Sequence, residues 1–150
     1  GSLGAITWLK LAIAVVPVTA GVGLLILLAR RLDLLTLGER QAKHLGLDVE
    51  RTRRTVIVTT ALLTGASVAF AGTIGFIGLV VPHIVRLVCG PAHRSLLPVS
   101  AVIGALLIVV ADTLSRIVAP PAEVPIGLFT ALMGAPFFLM LVMRSRAVHG

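Results

Sequence analysis

Residues 72–87 read GTIGFIGLVVPHIVRL and lie inside a run from Thr55 to Val85, 31 residues long, that contains no Lys, Arg, Asp or Glu. A straight helix over that run would be about 46 Å long, well beyond the roughly 30 Å hydrocarbon core of a bilayer and more than ordinary tilt absorbs. The run must therefore break or bend. Inside a helix, glycine costs about 1 kcal/mol against alanine and proline about 3, so Gly72, Gly75, Gly78 and Pro82 mark where a break is cheapest.

The remainder of the chain places this run in a membrane. Of its 150 residues 57% are hydrophobic and 13% charged, with a mean hydropathy of +1.08. A soluble domain could not cover so much apolar surface. The net charge of +7 does not indicate nucleic acid, because the basic residues fall in short clusters between apolar runs and aromatics make up only 4%. Cys89 is the single cysteine, so it has no intrachain disulfide partner and is expected as a buried or interfacial thiol.

Charge distribution sets the expected topology. Residues 11–29 are a charge-free stretch of 19 closed by Arg30 and Arg31, and span one is placed at 9–29. Had the long run crossed only once, the basic cluster at 30–54 and the later Arg86, His93 and Arg94 would lie on opposite sides, against the positive-inside rule. The alternative goes out over 55–71, turns within GTIGFIG, returns as a short helix over 76–88, goes out over 96–119 and returns over 126–143. Of the 13 Lys and Arg, 11 then share one side, leaving only Lys10 and Arg116 near the other. The expected fold is thus all-α: a polytopic membrane helix bundle with about five crossings, one of them a short broken helix. Residues 1–150 are expected to form one transmembrane domain with an inner loop at 32–52 and a cytoplasmic C-terminus.

A returning helix of about 13 residues covers only about 20 Å, so the glycine-rich turn should lie below the far membrane surface. Irregular backbone at that depth is tolerated only when buried in protein or lining a watery cavity. The N-terminus of such a half-helix offers free N–H groups and partial positive charge to whatever passes. Gly72, Gly75, Phe76, Gly78 and Pro82 are therefore candidate pathway residues; the second reading is small residues that only let helices approach.

The inner loop, LLTLGERQAKHLGLD, reads as two short helices joined near Gly38, with Glu39, Arg40 and Lys43 exposed around the joint. Leu34, Leu35, Leu37, Leu45 and Leu47 are expected to anchor it to the membrane domain, leaving a polar rim for a partner protein or, more simply, for lipid headgroups.

Four stretches in this order, LGERQAKHLGLD, AGTIGFIGLVVPHIVRLVCGPAHRSLLP, ADTLSR and EVPIGLFTALMGAPFFLMLV, resemble the FecCD family, the iron-siderophore, haem and vitamin B12 permeases of bacterial ABC importers. The likeness runs from about Gly1 to Arg146 and covers the C-terminal half of the usual ten-span subunit. It implies a pair of permease subunits, homo- or heterodimeric, in the bacterial inner membrane. Cytoplasmic ATP-binding subunits and an extracytoplasmic substrate-binding protein complete the importer. It also implies that Leu37, Gly38, Glu39, Arg40, Lys43, Leu45 and Gly46 belong to coupling helices that dock on the ATPase, with Gly38 at the turn and Glu39 and Arg40 on the contact surface. Because GSL followed by Trp8 resembles the stretch before this span in family members, the chain is read as beginning within a longer subunit.

Other polar residues have more modest expectations. Asp112 and Arg116, four apart on span four, share a helix face and can neutralise each other, as a structural pair rather than a proton relay. Glu123 is a candidate for docking the binding protein or a cap for span five, and Pro125 and Gly127 fit a rigid entry into that helix. His83 has no Cys, Asp or Glu at metal-ligand spacing and is expected to make a structural hydrogen bond; neither a metal site nor a resident cofactor is expected. No GxxxxGK[ST], HExxH or GxSxG occurs, so the chain is not expected to be an enzyme and ATP hydrolysis falls to a partner. Two other classes stay open: a non-transporting membrane scaffold or assembly fragment, and an intramembrane hydrolase built on His83 with Ser67, Ser95, Ser100 or Ser115.

Overall fold

The computed structural model of the chain describes residues 6–118, 120 and 124–149. Seven helices follow one another: α1 (Trp8–Leu27), α2 (Ala29–Thr36), α3 (Glu39–His44), α4 (Val49–Ala71), α5 (Ile77–Cys89), α6 (His93–Val118) and α7 (Ile126–His149). No strand occurs among the described residues. Helices α1, α4, α6 and α7 are long and apolar enough to cross a membrane, whereas α5, with 13 residues, covers about 20 Å.

Helix ends differ from the expected boundaries, and beyond α1 they do so for a common reason. The first helix stops at Leu27, and a separate helix starts at Ala29, where Leu28 and Ala29 are buried. Helix α4 begins at Val49, not at 55, because Asp48 caps it by accepting the Arg51 backbone N–H at 3.0 Å. Its first turns therefore carry Glu50, Arg51, Arg53 and Arg54. Helix α6 likewise starts at His93 rather than 96, and α7 runs through Arg144 and Arg146 to His149 instead of ending at 143. Charged residues end an apolar run without ending a helix, since Arg and Glu are good helix formers.

The helices associate as α1 with α4, α5 with both α6 and α7, and α6 with α7, α1 and α2. The buried apolar centre is small. Val81 and Val85 of α5 meet Leu96 of α6, flanked by Ile77, Val99 and Leu107. Large apolar side chains face outward all along the bundle, among them Trp8, Leu27, Val88 and Leu132. In hydrocarbon such exposure is no penalty, and close packing rather than the hydrophobic effect must hold the helices together. Interior prolines occur in four helices: Pro17 in α1, Pro82 in α5, Pro98 in α6 and Pro136 in α7. Each withholds one N–H from the carbonyl four residues earlier.

Candidate functional site

The polar loop between α1 and α4 is closed residue by residue. Leu37 and Gly38 donate to the carbonyls of Leu34 and Leu35 at 3.2 and 3.1 Å, which ends α2 in a tight turn. Gly38 then adopts φ 106° and ψ 150°, a conformation that a side chain resists, and a Cβ there would lie 2.5 Å from Gln41 Oε1. Helix α3 closes with both bonds of a Schellman motif: Gly46 (φ 84°) donates to Lys43 and Leu47 donates to Ala42, each at 3.0 Å. The expected two-helix turn around Gly38 is thus present.

Its packing departs from expectation. Leu37 and Leu45, expected as membrane anchors, are 57% and 62% exposed, and Leu34, Leu35 and Leu47 are only partly buried. The anchoring positions are instead Ala42, Val49 and Thr52, which are buried. The leucines flank α3, whose own six residues Glu39–His44 include none, and the small Ala42 is the side chain that fits the closest approach. Glu39 is also not a free contact residue: it forms an ion pair with Arg53 on α4. Arg40 and Lys43 are exposed, so the outward rim combines two cations with the leucines Leu37 and Leu45.

One pair escaped sequence reasoning. Asp33 on α2 accepts two hydrogen bonds at Oδ1 from His93, the backbone N–H at 2.8 Å and the ring Nδ1–H at 2.7 Å. Desolvation pushes the Asp33 carboxyl upward, but the two His93 hydrogen bonds and the charge of that ring outweigh it and hold the carboxyl below its ordinary range. The only signal in the sequence was a lone acid among basic residues, with nothing to name a partner 60 positions away.

The break in the long apolar run lies at residues 72–76, between α4 and α5. Gly72 ends α4 at φ 77°, while the turn into α5 is made by Phe76, the one non-glycine at positive φ (66°) among the described residues. Gly78 and Pro82 lie within α5 and do not mark the break. Gly75 and Gly78 are exposed, with open space where a side chain would be.

The turn is seated on α7. A Cβ at Gly127 would lie 3.1 Å from the Thr73 carbonyl oxygen, and a Cβ at Gly134 would collide with Cβ and Cγ of Phe76. Ile126 and Thr130, beside these glycines, are buried. A left-handed Phe76 costs on the order of 1 kcal/mol and persists because the packing around it over-determines the conformation. Beneath it Phe76, Val80, Ile84, Leu107, Met133 and Phe137 line an apolar recess of about 240 Å³. Gly134 was missed from sequence because its purpose depends on a residue 58 positions earlier.

Arg116 Nε donates to Asp112 Oδ2 at 3.0 Å, so the expected ion pair on span four is formed. Glu123 lies outside the described residues. The His83 ring packs edge-on against Phe137, with centroids 5.9 Å apart, rather than making the expected hydrogen bond. No group of His, Cys, Asp and Glu able to hold a metal occurs among the described residues. Ser67, Ser95 and Ser115 donate to carbonyls of their own or adjoining helix turns, and the buried Ser100 Oγ has no hydrogen-bond partner, which gives the hydrolase alternative no serine–histidine pair.

Comparison with known proteins agrees with this architecture. The chain is 48% identical over 149 residues to the cobalamin import system permease protein BtuC of Halobacterium salinarum, covering 99% of the chain and 40% of that protein. It is 47% identical to the hemin transport system permease protein HmuU of Yersinia pestis, covering 97% of the chain and 44% of the relative. The Fe(3+) dicitrate transport system permease protein FecD of Escherichia coli K12 is also 47% identical, with 97% and 46% covered. A solved structure assigned to the metal-chelate type of ABC transporter, in an inward-facing conformation, superposes with a TM-score of 0.89 at 39% identity, over 96% of this chain and 46% of the other. The chain spans less than half the length of these relatives. With the profile of the FecCD transport family matching residues 1–144, the chain belongs to that family.

Proposed function

We propose that the chain is part of a transmembrane permease subunit of an ABC importer that moves an iron(III)-siderophore or related metal chelate across the bacterial inner membrane. ATP hydrolysis on separate cytoplasmic subunits drives the movement, and the chain itself performs no covalent chemistry. The observation that carries this reading is a rigid, internally closed loop whose outer rim pairs Leu37 and Leu45 with Arg40 and Lys43, joined through helices to a broken helix seated on α7. Such a loop suits docking on an ATPase, and a compact turn can pass rigid-body movement to the spans behind it. Relatives named for cobalamin, hemin and ferric dicitrate support a large metal chelate as cargo. The metal is substrate in this reading, and no resident cofactor is required.

The topology proposed is five crossings with α5 as the short one, the loop and C-terminus cytoplasmic, in accord with 11 of 13 Lys and Arg on one side. Gly72, Gly75, Phe76, Gly78 and Pro82 then face or shape the pathway. The partners are a second permease subunit, two cytoplasmic ATP-binding subunits, an extracytoplasmic binding protein and the surrounding lipid; Glu123 is proposed to meet the binding protein.

A detergent pull-down of the full-length permease from its native membrane, with mass spectrometry of partners, tests this. The natural sequence is expected to recover an ATP-binding subunit, and Arg40→Glu with Lys43→Glu to lose it. Glu39 is left untouched because reversing it would also oppose Arg53. Recovery of no ATPase by the natural sequence would favour the membrane-scaffold alternative.

A further inference from the structure

Most polar closures of the loop connect it to itself or to α4: the Schellman motif of α3, the Asp48 cap and the Glu39–Arg53 pair. The Asp33–His93 contact points elsewhere. Asp33 stands on α2, one turn before Gly38, and His93 is the first residue of α6. A carboxylate can only accept, so the ring hydrogen lies on Nδ1, and one oxygen collects both donors.

That oxygen also supplies something α6 lacks. Ala92 accepts the first helical bond of α6, from Leu96 at 3.0 Å, and so holds the N-cap position with no side-chain oxygen to offer. Asp33 takes over the capping role from another helix, and its negative charge sits at the positive end of the α6 dipole. From there the connection is continuous. Leu96, one turn into α6, is buried against Val81 and Val85 of α5. A displacement of α2 reaches α6 through two short hydrogen bonds, and reaches α5 through packed side chains that cannot deform gradually.

We propose that Asp33 and His93 are the positioning pair through which movement of the coupling loop is transmitted to α6 and the broken helix α5. The inference rests on the coupling role proposed above.

The test uses the full-length permease purified with its ATP-binding subunits and reconstituted in proteoliposomes with the system's own binding protein. ATP hydrolysis and uptake of radiolabelled ferric hydroxamate, hemin and cobalamin are measured together. In Asp33→Ala, uptake per ATP is expected to fall about tenfold while assembly and hydrolysis stay within about twofold, the range by which a residue on a coupling route acts. His93→Ala, which keeps the backbone bond, is expected to fall about threefold. Asp33→Asn keeps the size and loses the charge, and it carries the test alongside His93→Ala if Asp33→Ala does not fold. Uptake per ATP within about twofold of wild type in the folded variants would overturn the proposal. Parallel loss of assembly, hydrolysis and uptake would also overturn it, by making the pair a fold staple alone. A wild-type permease that recruits no ATP-binding subunit overturns the importer reading itself, an outcome seen before any variant is compared.

Discussion

Two of the breaks between the described helices, α2 to α4 and α4 to α5, are held by different means. Between α2 and α4 the closures are hydrogen bonds and charge, several of them from side chains: the Gly38 turn, the Schellman motif, Asp48 on the Arg51 N–H and Glu39 on Arg53. Between α4 and α5 only backbone bonds close the chain, such as Gly72 to Val68 at 2.9 Å and Ile77 to Gly75 at 2.8 Å, and shape seats the turn, with Thr73 and Phe76 set against two glycines of α7. Polar closures suit the loop because its rim is solvated. An apolar layer offers no water to satisfy a misplaced backbone group, so there the turn bonds to its own backbone and fit against α7 keeps it in place.

The largest effect is expected where shape seats the turn on α7. Gly134→Leu drives side-chain atoms into Phe76 and should destabilise the bundle by about 3 kcal/mol or more, read as thermal unfolding in detergent; overpacking of this kind typically costs 1–3 kcal/mol. Phe76→Gly removes the opposing Cβ and should recover part of the loss, so the double variant must be more stable than the sum of the singles predicts. Additive losses would mean that the turn is not seated on α7 through this contact.

Next is Gly38→Val, which forces a β-branched residue to positive φ against Gln41 and should cost about 1–3 kcal/mol locally. Its signature is ATP hydrolysis continuing with little uptake in the reconstituted importer. Normal transport by this variant would remove Gly38 from the coupling turn.

A smaller effect should follow pH. The folded Asp33 carboxyl is held below its ordinary value of 3.8, so its contribution is fully present above that value and is lost as pH falls through the depressed one. Wild-type protein unfolded thermally in detergent at about pH 7 and about pH 3 should therefore lose more stability than Asp33→Asn over the same interval. Equal losses would show that the carboxylate is not stabilised by His93.

The smallest effect on stability is expected at Gly78, which is exposed inside α5 with open space around it. Gly78→Ala should be neutral or stabilising by up to about 1 kcal/mol. A marked loss of uptake at unchanged stability would place this face of α5 on the pathway or against a partner. Unchanged uptake would leave it to lipid.

Much of this was legible in the sequence because it depends on neighbours. The 31-residue charge-free run demanded a break, and GTIGFIG located it. Gly38 ahead of Glu39 and Arg40 located the loop turn, and the spacing of Asp112 and Arg116 gave their ion pair. The assignments that failed needed a third dimension. Spacing alone could not say that Phe76 rather than Gly78 carries the positive φ, since which residue bends depends on Gly134 across the bundle. Nor could it say that Leu37 and Leu45 face outward while Ala42 is buried, or that Glu39 is occupied by Arg53. Asp33 and His93, 60 residues apart, share no periodic pattern that would link them.

The trans cap on α6 also bears on the order of assembly. Asp33 precedes His93 by 60 residues, so during N-to-C synthesis the capping group exists before the helix that needs it. Ala92 cannot complete the first turn of α6 unaided, and that turn gains its full stability only once α2 has taken its place beside it. A bundle with α2 misplaced would thus carry a frayed α6, a local defect by which a misassembled chain differs from a finished one.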